Sequence, residues 1–480
     1  MLNFQRFNVL GLNTMPDQSF RTMLFNLEQQ GEIIRFAKEV DPLTNMAALE
    51  WKAFNEMGKA SLFTNIKGHK NWQACSQIIA DRKKWAIGLN LDENKLLDQM
   101  LERMQKSIPA EMISGDAPVK ETITTKNDIN LFDFPTMLTS KRDGGRYFSS
   151  GIAIIKDPDT GIRNLSIHRQ MITDKDKTGF IMIPRQARQI YEKYCSRNEA
   201  MPVAMVYGTH PAIFFASSFT ATFGADELEI AGALMGEPVR LTKCETVDIE
   251  VPAEAEIIIE GEVLPNLTEP EGPFGEVTGT YAGECESEVF HVKAITRRKD
   301  AIFFALHCGF PVTDAQSTMG LGVEVATKKH LKEVEGGVNL IDVRAVTEAG
   351  VMMLILKIRP RHPGQAKTAL MAALSGPYLH PKLAIAVDED IDPNDLRQIA
   401  WSITTRVHAE SDVTMIPNTR VFSLDNISPT APGMNNFARI GTKWMIDATI
   451  PAHLSENERK DFEPAFPYNF ESVNLSDYLP

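Results

Sequence analysis
The chain switches between two hydrophobic periods, and the switches divide it into parts. Phe20, Met23, Leu24 and Leu27 recur at helical spacing after Asp17, with Gly31 as a stop and an apolar strand-like run over residues 33–36. A second helical pattern covers residues 48–57, a strand pattern residues 61–67 and a third helix residues 93–106, before polar loops carrying Pro109 and Pro118. This order predicts an N-terminal α/β domain over residues 1–120, read as packed scaffold.

Over residues 121–325 the pattern becomes β-rich, with apolar runs at 152–156, 203–207, 257–263, 289–295 and 301–306 broken by Gly and Pro turns. Such spacing suits an antiparallel barrel with helices 185–195 and 226–235 inserted, a form that can enclose a ligand. Alternation returns over residues 326–450: helix 328–334, strands 338–346 and 351–358, helix 364–374, strand 383–387, then the acidic turn Asp388-Glu-Asp-Ile-Asp392 and helix 395–407. This reads as a C-terminal α/β domain. Residues 451–480, rich in Pro, Asn and acidic side chains, read as a tail available for an oligomer contact.

Length and charge narrow the function. The 480 residues suffice for three domains, and 43% hydrophobic with 24% charged residues is an ordinary globular composition. A net charge of −13 argues against nucleic acid or an anionic membrane as the main partner. The five cysteines, Cys75, Cys195, Cys244, Cys285 and Cys308, are far apart without a Cys-x-x-Cys pair, so neither a disulfide framework nor a structural zinc is expected. No apolar run reaches a membrane span, and no basic-then-apolar leader opens the chain, so a cytoplasmic protein is expected.

The chemistry concentrates in Glu271-Gly-Pro-Phe-Gly-Glu276, where Gly and Pro predict a turn that brings two carboxylates to one side. Two acids in one pocket repel, so one keeps its proton unless a cation intervenes, which is how a general acid arises; the plain alternative is a solvated turn. A second stretch, Asn164-Leu-Ser-Ile-His-Arg169, ends an apparent strand, and Arg169 has the planar cation suited to holding a glutamate ionised or gripping an acid substrate. Asp143-Gly-Gly-Arg-Tyr147 could offer amides to an anion but reads more simply as a plain loop. Gly320-Leu-Gly322 is too short for a dinucleotide fingerprint, and phosphate-loop, zinc-helix and serine-elbow motifs are absent. Isolated histidines such as His291 and His380 read as structural.

Together the two stretches resemble the UbiD family of prenylated-FMN-dependent reversible decarboxylases, whose Asn-x-x-x-x-Arg and Glu-x-x-x-x-Glu elements match at the same internal spacing. The resemblance runs from residue 17 to 450 and includes Asp174-Lys-Asp-Lys177, residues 227–234, Val387-Asp-Glu-Asp-Ile-Asp392 and Lys443-Trp-Met-Ile-Asp-Ala-Thr449. It implies an α+β multidomain chain whose central split β-barrel binds prenylated FMN between flanking N-terminal and C-terminal α/β domains. Asn164, Ile167, His168, Arg169, Arg185, Gln186 and Lys382 are the positions it assigns to the cofactor, although Lys382 could simply be exposed.

The resemblance also implies a manganese or magnesium ion on the flavin phosphate, with a potassium ion as a further candidate. Asn164 and Glu227 match its ligands; the third is usually a histidine within Ile183-Pro-Arg-Gln-Ala-Arg188, and none stands there. Gln186 is the expected substitute, or Arg185 meets the phosphate directly; for Glu227 the plain reading is an acid favoured by a helix start. The implied reaction is reversible decarboxylation of an aromatic, heteroaromatic or α,β-unsaturated acid, with the modified flavin as electron sink. In that reaction Arg169 is expected to pair with Glu271 and the substrate carboxylate, and Glu276 to donate the proton. Expected partners are the acid, carbon dioxide, a flavin prenyltransferase that supplies the cofactor, and further copies of the chain in a dimer or hexamer. Val277 and residues 432–435 are candidate pocket walls. The missing histidine supports the alternative of a non-catalytic or assembly subunit that has lost the cofactor.

Overall fold
A computed structural model describes residues 18–221, 224–334, 338–434 and 437–479. Asp17, read as the start of the first helix, and Asn435, read as part of a pocket wall, lie outside the described residues. The chain forms two compact units, one running to Val325 and including Thr347–Val351, the other made of Ala326–Val346 and the chain from Met352 onward.

In the first unit, helix Phe20–Gln29 buries the four residues whose spacing predicts it, Phe20, Met23, Leu24 and Leu27. Strands Ile33–Phe36, Ala60–Phe63, Gln73–Ser76 and Ile302–Phe304 form one sheet in that order. The last of these corrects the sequence reading, which counts residues 301–306 among the barrel runs; Ile302–Phe304 instead pairs in parallel with Gln73–Ser76. An apolar run identifies a strand, but it does not identify the strand's neighbour.

The barrel has six strands, β1 (Tyr147–Lys156), β2 (Arg163–Asp174), β3 (Lys177–Phe180), β4 (Met201–Tyr207), β5 (Ile257–Glu271) and β6 (Cys285–Arg297). They run β5-β4-β1-β2-β3-β6, and pairing of β6 with β5 closes the ring, so no barrel edge is left open. Every pair is antiparallel. Phe148, Phe180, Tyr207, Phe290 and Phe303 share one buried cluster with Ile155, Val203 and Ile259. The expected helix insertions are Gln186–Ser196 and Glu227–Met235; the latter is capped by Asp226, which accepts the Leu228 N–H, and by left-handed Gly236.

The second unit is a mixed sheet in the order Leu340–Ala345, Met353–Ile358, Leu383–Val387, Arg439–Ala448, Val413–Val421, with helices Gln365–Leu374 and Leu396–Arg406. The short helix expected over residues 328–334 is instead the last turn of a longer one, Asp314–Lys332, with residues 333 and 334 beyond its end. The final stretch consists of short helical turns with exposed aromatics such as Tyr468. Among the described residues no helix is long and apolar enough to cross a membrane, and all five cysteines are unpaired thiols.

Two buried polar groups show how the barrel is held. Glu256, fully buried, accepts Arg21 Nε–H at 2.8 Å, Arg21 Nη2–H at 2.9 Å and the Ile302 N–H at 2.9 Å, joining the first helix to the strand that follows the barrel. Removing this acid leaves the Ile302 amide without its acceptor and the Arg21 guanidinium with Asp300 alone. We expect Glu256→Ala to lower unfolding stability by about 2–3 kcal/mol in urea titrations, and Glu256→Gln, which keeps acceptor oxygen, to lower it less.

His168 on β2 stacks on Phe180 at 4.6 Å; its Nδ1–H donates to Ile181 O at 3.0 Å and its Nε2 accepts Ser166 Oγ–H at 2.8 Å. Burial depresses the imidazole from 6.5 to about 4, so the folded protein binds fewer protons there than the unfolded chain. Its contribution is therefore present above pH 6.5 and lost as pH falls through 4. The difference in unfolding free energy between wild type and His168→Gln should shrink by about 3 kcal/mol as pH falls from 6.5 to 4. The comparison is needed because buried carboxyls raised to about 7, Glu227 and Asp314, act on the total slope with the opposite sign.

Candidate active site
The site is made where two distant strands of the barrel meet. Arg169 lies on β2, and Glu271 is the last residue of β5, opposite Cys285 at the start of β6. Between β2 and β6 runs the short β3, whose Gly179 makes the meeting possible: a Cβ there would lie 2.4 Å from Glu271 Oε2. The chain then turns through Gly272 and Pro273 into the small hairpin Phe274–Gly275 and Tyr281–Ala282. Glu276 sits within it, its N–H donating to Thr280 O at 2.8 Å.

The three residues singled out for catalysis come together. Arg169 Nε–H donates to Glu271 Oε1 at 2.9 Å, and its Nη1 pairs with Glu276 Oε1. Its guanidinium carbon lies 4.8 Å from the centre of the Phe274 ring, which supports the cation from one face. Nη2 takes no acceptor among the described residues. The acids are inequivalent: the Glu271 side chain is 0% exposed and that of Glu276 12%. Glu271 Oε2 is buried without a hydrogen-bond partner, so one oxygen is held by Arg169 and the other is open to a further donor.

Side chains that sequence reasoning passed over brace this arrangement. Asp143 Oδ1 accepts the Gly275 N–H at 2.8 Å, and the Gly144 N–H donates to Pro273 O at 2.7 Å. Tyr147 packs on Phe274 with ring centres 4.5 Å apart. Gln316 Nε2–H donates to Val277 O at 2.8 Å. Nearby, buried His307 pairs through Nδ1 with fully buried Glu50, whose charge raises the imidazole against the opposing effect of burial. The Asp-Gly-Gly sequence was the only signal for any of these, and its local pattern favours a plain loop.

The residues assigned to cofactor and metal form a second group along β2. Asn164 Nδ2–H donates to Ser166 Oγ at 3.3 Å and Ser166 to His168, which leaves the Asn164 carbonyl oxygen as the free end of the amide. Glu227, buried at the start of its helix, accepts the Leu165 N–H at 2.9 Å and has no ion pair among the described residues. Desolvation pushes its carboxyl up to about 7. An amide oxygen beside a carboxylate that lacks a cation is a donor set suited to a hard divalent ion. Among the described residues no group of three His, Cys, Asp or Glu forms a metal cluster. Ile167 lies opposite Ile152 of β1, Arg185 stands at the N-cap position of the helix that Gln186 begins, and no hydrogen bond joins Gln186 to Asn164 or Glu227. Lys382 lies in the second unit, where it pairs with Asp425 at 2.8 Å.

Comparison with known proteins agrees with the fold. Three models of the 3-octaprenyl-4-hydroxybenzoate carboxy-lyase family match in order, the N-terminal domain at residues 24–104, the Rift-related domain at 110–311 and the C-terminal domain at 316–448. The chain is 32% identical over 451 residues to a phenolic acid decarboxylase of Bacillus subtilis (strain 168), covering 91% of this chain and 93% of that one. It superposes with a TM-score of 0.86 at 32% identity on the UbiD-class enzyme HmfF from Pelotomaculum thermopropionicum in complex with FMN, covering 96% and 100% of the two chains. An evolved dimeric form of HmfF in complex with prFMN gives a TM-score of 0.84 at 31% identity, with the same coverage. A closed six-stranded barrel preceded and followed in sequence by α/β parts, with an arginine joined to two glutamates, is thus found in a chain that belongs to the UbiD family of carboxy-lyases and is a decarboxylase of that family.

Proposed function
We propose that the protein decarboxylates an aromatic or α,β-unsaturated carboxylic acid, reversibly and without net oxidation, on prenylated FMN. The observation that carries the reading is the Arg169 guanidinium bonded to Glu271 and Glu276 at once, with the two acids unequally buried. The likeness to a phenolic acid decarboxylase favours a phenolic acid among the possible substrates. The complexes of HmfF with FMN and prFMN favour the cofactor.

When bound, the modified flavin would supply the electron sink that loss of carbon dioxide requires. The chain's own residues do the rest. Arg169 directs its unused Nη2 at the substrate carboxylate and orients the bond that breaks. Glu271, fully covered, stays as the fixed counter-charge that keeps the guanidinium in place. Glu276, the more open acid, takes a proton from solvent ahead of the step, gives it to the carbon that has lost carbon dioxide, and returns to the Arg169 ion pair as an anion. In carboxylation the same residue removes the proton.

For the phosphate, the fit is to Asn164 and Glu227 with a manganese or magnesium ion, assisted by Gln186 or Arg185 at the start of an 11-residue helix, where backbone N–H groups favour an anion. A flavin prenyltransferase would supply the cofactor, and the chain would assemble as a homo-oligomer. With Mn2+ as the probe, thermal denaturation should show stabilisation of the wild type that Glu227→Ala removes; equal shifts for both would dismiss Glu227 as a ligand.

Glu276→Gln should reduce turnover at least about 100-fold in cofactor-loaded protein and abolish hydrogen exchange between added product and solvent deuterium. A panel of aromatic, heteroaromatic and acrylic acids, scored by carbon dioxide release, identifies the substrate for that comparison. Full activity and exchange in Glu276→Gln would end the assignment.

A further inference from the structure
Glu276 owes its place to a loop that has little reason of its own to be ordered. Residues 272–279 contain three glycines and no stretch longer than two residues in a sheet. Without outside restraint such a loop samples many conformations, and an acid displaced by 1 Å loses much of its catalytic value. The restraints are on the residues that flank Glu276. On one side, the Gly275 N–H donates to Asp143 Oδ1 at 2.8 Å; on the other, Val277 O accepts from Gln316 Nε2 at 2.8 Å.

Both restraining side chains are themselves anchored. Asp143 Oδ2 accepts the Ser140 N–H at 2.8 Å, and the Gly144 N–H donates to Pro273 O at 2.7 Å, so the two loops are joined at two points. The fit is close enough that a Cβ on Gly144 would stand 2.0 Å from Gly272 O. Gln316, fully buried on helix Asp314–Lys332, uses its whole amide: Nε2 also donates to Gly309 O at 2.8 Å, and Oε1 accepts the Thr313 N–H at 2.8 Å and Oγ1–H at 2.5 Å. Burial works against the charge on Asp143, while its two N–H donors and the nearby His307 and Arg169 work for it.

We propose that Asp143 and Gln316 are positioning residues that grip the backbone on either side of Glu276 and hold its carboxyl on Arg169. This rests on the reading of Glu276 as the proton donor. Neither residue takes part in the proton transfer; each acts through the loop.

The test uses the full-length, cofactor-loaded protein with 4-hydroxybenzoic acid as probe, or the best acid from the panel if that is not turned over, and variants Asp143→Ala, Asp143→Asn and Gln316→Ala. Amide hydrogen exchange over residues 272–280, measured with and without cofactor, should quicken in the alanine variants while exchange in the barrel strands stays as in wild type. kcat should fall about 10- to 100-fold with KM little changed. Asp143→Asn should recover part of the loss, because its amide oxygen can still accept the Gly275 N–H, although its NH2 then faces the Ser140 donor. Wild-type kcat or unchanged loop exchange in both alanine variants would overturn the proposal. So would a parallel loss of kcat, barrel protection and melting temperature with no rescue by Asn, the mark of a purely structural role. The failure of the underlying reading looks different: Glu276→Gln would then be active while loop exchange in Asp143→Ala still quickened.

Discussion
One guanidinium between two carboxylates sets the terms for the rest of the molecule. Glu271 is cut off from solvent, and an uncompensated charge at such depth costs several kcal/mol. Arg169 neutralises it at 2.9 Å with a hydrogen bond of fixed direction, and Phe274 covers the face of the cation. Buried ion pairs are weak evidence for stability, since an apolar replacement often does as well. Their persistence where a hydrophobic pair would pack is better explained by use. Here the proposed use falls to the third member, Glu276, which shares the cation and keeps some access to water.

Closure of the barrel is what lets these groups meet. Arg169 and Glu271 are separated by 102 positions in sequence and lie on strands that are not neighbours, with β3 and β6 between them along one side of the ring. The intervening β3 is four residues long and has Gly179 where the carboxylate passes. An open sheet would leave Glu271 at a strand end near solvent. In the closed ring the end of β5 is paired with β6 at Cys285, and the acid is covered.

Much of this was legible in the sequence. Helical spacing identified Phe20–Gln29, and β-rich runs with helices 185–195 and 226–235 between them gave the barrel and its insertions. The spacing of Glu271 and Glu276, with Arg169 upstream, marked the acids and the cation that now stand together. Other features have no local signature. Helix Pro211–Ser218 is buried on all sides, so its sequence has no polar face to set a period. The strand Ile302–Phe304 reads like a barrel strand because burial, not partner choice, determines its composition. Asp143 and Gln316 act through single hydrogen bonds to residues 132 and 39 positions away, a relation that no window of sequence contains.

The proposed metal donors follow a different logic from the acid triad, and the absent histidine matters less to charge than to preference. Histidine and glutamine are both neutral ligands, so with Glu227 as the only carboxylate the site's formal charge is the same with either. What changes is the donor atom. With Gln186 as the proposed third donor, exchanging an imidazole nitrogen for an amide oxygen would make Asn164, Gln186 and Glu227 an all-oxygen set, which suits magnesium and manganese and weakens competition from zinc and copper. His168 does not fill the gap, because its Nδ1–H is given to Ile181 O and its Nε2 to the Ser166 hydroxyl. A group that binds a charged phosphate mainly by electrostatics tolerates such an exchange. The Arg169 fork, which must meet two carboxylates in fixed directions, does not.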